Sequence, residues 1–346
     1  METLKNLRNI AELGEFKLIE ELTHNFQLRN KSIETGIGDD CAVIVRNKEE
    51  YTLISTDTLT EGIHFDPMYM PMKHLGYKSV AVNVSDICAM NGTPEYITVS
   101  IAVSSKYSVE ALQELYEGIH AACKSFNVDL VGGDTSAAVF GLTITVSVFG
   151  VVKKTAISKR SGAKEFDLLV VSGDLGGAFM GLQVLEREKE VFKSNPEIQP
   201  DLEGHDYIVE KQLKPEARVD VLTILKNLEV LPTSMIDISD GLASEILHIC
   251  TNSKVGCHVY SEKIPIDHKT QMCAMDFNLD PVTTALNGGE DYELLFTIDQ
   301  KDHSKIASNP NFSIIGHITT SDKGVYLIDK QGIAVELKAQ GWRHFN

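Results

Sequence analysis

Basic residues are scarce in this sequence: 32 lysines and arginines stand against 49 aspartates and glutamates, for a formal net charge of −17. So negative a surface repels the phosphates of nucleic acids and anionic membranes, which excludes both as expected partners. Long apolar runs are also missing. The longest, Leu142 to Val152, is interrupted by Thr and Ser and falls well short of the ~20 residues that cross a bilayer. The opening METLKNLRNIAELGEF has no unbroken apolar stretch of signal-peptide type, so a cytoplasmic location is expected. The six cysteines (Cys41, Cys88, Cys123, Cys250, Cys257, Cys273) include no C-x-x-C pair. They suit neither a zinc site nor a disulfide framework, and they read as reduced core residues. There is no G-x-x-x-x-G-K-[ST], no G-x-G-x-x-G and no H-E-x-x-H, so the common P-loop, dinucleotide and zincin readings fail. Tryptophan occurs once, as Trp342. A late Trp either pins the chain end to the core or stacks on a flat ligand.

What is present is the make-up of an ordinary globular protein, 43% hydrophobic and 23% charged over 346 residues. That length favours two domains. Apolar runs rich in Val, Ile, Leu and Thr predict strands at 41–45, 51–56, 97–103, 129–131 and 141–152, then at 168–172, 235–238, 292–298, 312–318 and 324–328. Helical spacing predicts helices at 14–26, 74–90, 108–125, 218–228 and 242–252, with another after the Gly-rich turn at 173–177. A turn is expected at Asn91-Gly92-Thr93-Pro94, and a mobile insertion or helix–loop at 186–206, where prolines stand at 196 and 200. Strands and helices alternate in both halves, so the expectation is two α/β or α+β domains, divided as 1–155 and 156–346.

Six short acidic segments carry the chemistry: Gly38-Asp39-Asp40, Ser55-Thr56-Asp57, Asn83-Val84-Ser85-Asp86, Gly132-Gly133-Asp134-Thr135, Asp237-Ile238-Ser239-Asp240-Gly241 and Gly288-Gly289-Glu290-Asp291. Most sit where an apolar strand ends or a helix begins. A carboxylate in such a place loses water, at a cost of several kcal/mol, unless a cation or hydrogen-bond donors replace it. Mg²⁺ takes carboxylate, water and phosphate oxygens, so the set suits cation-assisted phosphoryl transfer. Each segment alone also reads as a turn or an N-cap. In the 74–90 helix, Ser79, Asn83 and Asp86 share one face, which is either solvated or turned into a cleft. Gly173-Asp174-Leu175-Gly176-Gly177 either cradles phosphate or makes a tight strand-to-helix turn.

In this order the segments resemble the thiamine-monophosphate kinase family, within the superfamily of aminoimidazole ribonucleotide synthetase, selenophosphate synthetase and HypE. The matching runs are GIGDDCAV (36–43), ISTDTLTEGIHF (54–65), VNVSDICAMNGTP (82–94), VGGDTS (131–136), KRSGAK (159–164), IDISDGLASEI (236–246), NGGEDYELLFT (287–297) and GWRHF (341–345). One departure is Pro215-Glu216-Ala217-Arg218, where the family commonly has P-x-P-R.

The resemblance implies a two-domain aminoimidazole ribonucleotide synthetase-like fold, with N-terminal strands pairing across a homodimer into a barrel. It implies Mg²⁺-dependent transfer of the ATP γ-phosphate to thiamine monophosphate. By match to the family's motifs, Asp40, Ser55, Thr56, Asp57, Asp86, Asp134, Asp237 and Asp240 would hold Mg²⁺, with Asp57 and Asp240 central to turnover. Tyr116, Gly133, Arg160 and Ser239 would contact ATP; His64, Glu290 and Trp342 would contact the thiamine substrate. Selenophosphate synthetase is disfavoured because no reactive Cys or Gly-rich segment precedes GIGDD, and HypE because the last residues, Trp-Arg-His-Phe-Asn, include no Cys. GGEDYELLF and Trp342 disfavour aminoimidazole ribonucleotide synthetase. A nucleotide-binding scaffold is the non-enzymatic alternative, and the clustered carboxylates speak against it.

Overall fold

The computed structural model describes residue 10 and residues 13–341. Trp342 lies outside the described residues. After helix α1 (Glu15–Thr23), the first half builds a sheet from β1 (Ile33–Thr35), β2 (Ala42–Val45), β3 (Glu50–Thr60), β4 (Thr93–Val103), β5 (Asp129–Ala137) and β6 (Leu142–Lys153). The spatial order is β1-β2-β3-β6-β4-β5. The β4–β5 pair is parallel and the other pairs are antiparallel. A parallel pair needs a crossover, supplied by helix α3 (Val109–Phe126). Ser108 caps α3 by accepting from the Ala111 N–H.

Burial along β6 alternates residue by residue, with Leu142, Ile144, Val146, Val148 and Val152 buried. One face of the sheet therefore packs inward, and against it lies helix α2 (Met72–Ala89). This helix is buried almost all round, including Lys78, Ser79, Asn83 and Ser85. The polar stripe read from the sequence thus faces the interior and not water. Its groups find partners there: the Ser79 hydroxyl donates to Gly76 O at 2.9 Å, and the Asn83 amide donates to Ser79 O at 2.9 Å.

The second half comprises β7 (Leu168–Ser172), α4 (Gly177–Ser194), α5 (Asp206–Leu213), α6 (Val219–Asn227), β8 (Ser234–Asp237), α7 (Leu242–Ser253), β9 (Val255–Tyr260), α8 (His268–Asp276), α9 (Pro281–Asn287), β10 (Leu294–Ile298), α10 (His303–Ala307), β11 (Phe312–Thr320), β12 (Val325–Ile328) and β13 (Ala334–Glu336). Its sheet runs β13-β12-β9-β11-β7-β10-β8. One core joins the two halves: Val84 and Ile87 of α2 belong to the same apolar cluster as Val170, Met235 and Phe296. A second cluster, with Val171, Ile236, Ile246 and Leu295, fills the other face of the second sheet. All strands of the first sheet end by residue 153 and those of the second begin at 168. We propose that the domain division lies between 155 and 156, in this connection. Among the described residues, no helix is long and apolar enough to cross a membrane.

Of the two readings of 186–206, helix–loop is the one found: α4 continues to Ser194, and buried Glu188 accepts from the Asp201 N–H at 2.9 Å, tying the loop back. Prolines 196 and 200 end the helix later than the charge density suggested. Two other readings need correction. Thr93 and Pro94 open β4 and do not close a turn. Strand β5 continues through Gly132-Gly133-Asp134 to Ala137, because pairing with β4 overrides the turn preference of the glycines.

Helices α2 and α3 touch at two glycines. A Cβ on Gly76 would lie 1.9 Å from Leu115 O, and one on Gly118 1.9 Å from Lys73 O. Alanine at Gly118 gains about 1 kcal/mol of helix propensity, but separating two packed helices costs about 3 kcal/mol. Gly118→Ala is therefore expected to lower stability by about 2 kcal/mol in urea unfolding. A stabilised variant would show that the helices do not meet there.

Candidate active site

The end of α2, the turn before β2 and the end of β8 converge. Asp86, Asp40 and Asp237 each bring a carboxylate oxygen to within 4.8 Å of the other two. Asp40 and Asp237 are buried and Asp86 half-buried. Two serines hold the group: Ser55 Oγ donates to Asp86 Oδ2 at 2.5 Å, and Ser85 Oγ to Asp237 Oδ2 at 2.5 Å. Arg160 Nε and Nη2 both donate to Asp40 Oδ1, at 3.1 and 2.7 Å. Asp40 Oδ2 is buried with no hydrogen-bond partner. Asp39 accepts from the backbone N–H groups of Asp40 and Arg160, each at 3.1 Å. That network fixes the turn.

Water is excluded here and like charges crowd, so the acids resist ionisation. Burial, then the charges of Asp57, Asp237 and Asp40, push the Asp86 carboxyl well up. Burial and then Asp40 push Asp237 up to about 7. Burial raises Asp40 too, against the pull of Arg160, and burial followed by Asp40 raises Asp39 to about 6. Asp57 stands on β3 with its N–H donating to Asn83 Oδ1 at 2.9 Å.

Asp240 and Glu290 reach the same cleft on two loops joined backbone to backbone. The Glu290 N–H donates to Ser239 O at 2.7 Å and the Tyr292 N–H to Ile238 O at 2.8 Å. Glu290 and Tyr292 both take positive φ, 59° and 51°, a strain of the kind that accumulates at functional loops. Burial, then the charges of Glu290, Asp57, Asp237 and Asp240, push the Tyr292 phenol up, so these four acids lie within electrostatic reach of it. Beneath the Ser239-Asp240 loop, buried Glu245 accepts from the Asp240 N–H at 3.0 Å.

The other expected residues lie elsewhere. Thr56 alternates to the opposite face of β3, where its hydroxyl donates to Val146 O at 3.0 Å and only its backbone is left near the acids. Gly133 is three strands from Asp57 through the register Asp57–Val146–Val99–Gly133, about 14 Å at ordinary strand spacing. Asp134 adjoins it, exposed on the outermost strand of the sheet. Tyr116, on α3, lines a groove of about 520 Å³ with His120, Asp129 and Leu130. His64 accepts from the Thr60 N–H at 3.0 Å and closes the turn after β3. The Gly-rich turn at 173–177 is not a free anion cradle: buried Asp291 accepts from the Gly176 and Ala178 N–H groups at 2.7 and 3.3 Å. Tyr292, Glu245 and Lys78 were not singled out from the sequence. A lysine just ahead of the apolar run Val80-Ala81-Val82 is the signal that marks Lys78.

Residues 38–152 match the model of the AIR synthase related protein N-terminal domain, and residues 167–329 that of the C-terminal domain. The thiamine-monophosphate kinase of Buchnera aphidicola subsp. Schizaphis graminum is 37% identical over 340 residues, covering 96% of this chain and 99% of its own. This chain belongs to the thiamine-monophosphate kinase family. The family's Aquifex aeolicus member is 33% identical, covering 97% of this chain and 99% of its own. A solved structure described as AaThiL complexed with AMPPCP and TMP is 31% identical, has a TM-score of 0.83, and covers 99% of this chain and 100% of its own. The hydrogenase maturation protein HypE in complex with ATP, at 16% identity and a TM-score of 0.67 over 84% of this chain and 85% of its own, shares the fold.

The crowded acids predict a trade of stability for function. The native state holds the Asp237 proton up to about pH 7, whereas an unfolded Asp loses it near about pH 4. This carboxyl therefore costs nothing below pH 4, and its cost grows as pH rises to 7. In a chelator, Asp237→Asn should melt above wild type by on the order of a few degrees at pH 8, with the gap closing toward pH 4. A gap that is constant with pH would show that Asp237 is not strained by its neighbours.

Proposed function

We propose that this chain is a thiamine-monophosphate kinase, which transfers the γ-phosphoryl group of ATP to the phosphate of thiamine monophosphate and releases thiamine diphosphate and ADP. The observation that carries the reading is the convergence of Asp40, Asp86 and Asp237 in a chain whose full-length relatives bear that name. The donors are hard oxygens, and Asp40 Oδ2 is buried without a partner, so the site fits Mg²⁺, which prefers such ligands. Asp40, Asp57, Asp86, Asp237 and Asp240 would hold it, with Ser55 and Ser85 fixing two of the carboxylates. Bound there, Mg²⁺ would neutralise charge on the donor and acceptor phosphates.

The chain's own groups do the rest. Arg160 and Ser239 border the acids and suit the phosphate end of ATP. Tyr116, Gly133 and Asp134 share the α3–β5 edge, and an ATP laid across the sheet from that edge would meet both places. Glu290 borders the side left for the acceptor, and the family's motifs assign His64 and Trp342 to the same substrate. An acceptor phosphate oxygen attacks the γ-phosphorus in line. The bond to the β,γ-bridging oxygen breaks, and ADP leaves with that electron pair. The attacking oxygen is already ionised at pH 7, so no general base is needed.

We also propose a homodimer. Strand β5 is exposed along its whole length, with Leu130 41% and Val131 60% exposed. Phe140, just beyond it, is 88% exposed. A second copy would cover this edge. Light scattering is expected to give twice the chain mass, and a monomer at micromolar concentration would refute the dimer.

Protein, ATP, MgCl₂ and thiamine monophosphate should yield thiamine diphosphate and ADP in equal amounts by chromatography. Asp57→Asn and Asp240→Asn should each cut turnover on the order of a hundredfold or more while unfolding normally. Unchanged thiamine monophosphate in the presence of folded wild type would overturn the assignment.

A further inference from the structure

Lys78 is a fully buried ammonium, 0% exposed, on a helix buried almost all round. Such a charge costs several kcal/mol unless it is paired. Its partner is Glu290, with Nζ to Oε1 at 2.9 Å, and Gln212 O accepts weakly at 3.4 Å. The second oxygen of the same carboxylate, Oε2, accepts from Gln212 Nε2 at 2.8 Å. Three elements thus meet on one side chain: α2 brings Lys78, α5 brings Gln212, and the loop before β10 brings Glu290. The Glu290 side chain remains 28% exposed, so it presents an open edge while its back is fixed.

That arrangement has a consequence for charge. Glu290 shares the surroundings of the Tyr292 phenol with Asp57, Asp237 and Asp240. Repulsion from those acids drives a free carboxylate out toward water, and a buried ammonium behind it opposes that drive. We propose that Lys78 and Gln212 are positioning residues, which hold Glu290 at the cleft wall and thereby set affinity for the amino-pyrimidine and thiazolium half of the acceptor without touching it. The proposal rests on the reading above in which Glu290 meets the acceptor. An ionised carboxylate with one open edge suits an amino group and a cationic ring.

The test is steady-state kinetics of the full-length protein with ATP and thiamine monophosphate varied in turn. Lys78→Met and Gln212→Leu should each raise the KM for thiamine monophosphate, by about tenfold or more for the lysine, the equivalent of one charged hydrogen bond. The KM for ATP should stay within about twofold, because uniform acceptor binding alone is lost. A merely structural role would move both constants together. Lys78→Met strands a partly buried carboxylate and is the variant at risk of misfolding. Lys78→Met with Glu290→Gln removes both charges and restores balance. That double variant should match Glu290→Gln alone, since Lys78 has nothing left to position. The proposal is overturned if folded Gln212→Leu leaves the acceptor KM unchanged, or if the double variant shows the product of the two single effects. A wild type that does not phosphorylate thiamine monophosphate sinks the functional reading instead, which separates the two failures.

Discussion

Carboxylates that repel one another are held together in a place with little water, and the rest of the structure follows from how that repulsion is contained. Asp40, Asp86 and Asp237 come from three separate stretches of chain. Each is tethered by a neighbour: Arg160 for Asp40, Ser55 for Asp86 and Ser85 for Asp237. None of these tethers cancels the excess negative charge, since one guanidinium serves the whole group. The remaining free energy is supplied by packing. The apolar cluster beneath the site runs through both sheets, so parting the acids would mean parting the halves of the molecule. A cleft charged in this way suits positive charge brought from solution, and under the proposed function Mg²⁺ would supply it.

Helix α2 is the strut on which this depends. It carries Asp86 and Ser85 at one end, Asn83 against Asp57 one turn back, and Lys78 against Glu290 two turns back. At 1.5 Å per residue, Lys78 and Asp86 are separated by about 12 Å along the axis. The helix therefore works as a ruler between the acidic group and the wall where Glu290 stands. A ruler must not rotate. Burial almost all round, with glycine contacts to α3, removes the freedom that a helix on the surface would keep.

The sequence announced the acidic segments because carboxylates beside glycine and hydroxyl residues at strand ends are chemically odd, and the structure brings together Asp40, Asp86 and Asp237 from three of them. It also announced the Ser79–Asn83–Asp86 stripe, but not which way it faced. Periodicity gives a face, while only tertiary packing says whether that face meets water. The pairing of Lys78 with Glu290 was illegible because it joins residues about 200 apart, a contact that no local pattern encodes. Tyr292 was hidden for a related reason: YELLF reads as strand from its first residue, yet the chain takes positive φ at Tyr292 and β10 begins only at Leu294. The placement of Asp134 depends on strand order, β3-β6-β4-β5, which separates in space two motifs that look equivalent in sequence.

A carboxyl that titrates near neutrality is also what a general base requires, so Asp237, at about 7, invites that reading. The surroundings argue against it. A base works by taking a proton from an acceptor and then surrendering it, which needs an open lone pair and room for the acceptor's hydroxyl. Asp237 is 4% exposed, one oxygen is committed to Ser85, and carboxylate oxygens of Asp40 and Asp86 lie within 4.8 Å. Its value is high because of burial and Asp40, and those same neighbours would become an asset if a cation were shared among them. Asp237 would then release its proton to solvent, which would couple cation binding to pH. Ligand and base predict different acceptors. A base serves a hydroxyl, which must lose a proton to attack, whereas a site that works without one requires a nucleophile that arrives already charged. In the proposed function the acceptor is a phosphate, which meets that requirement.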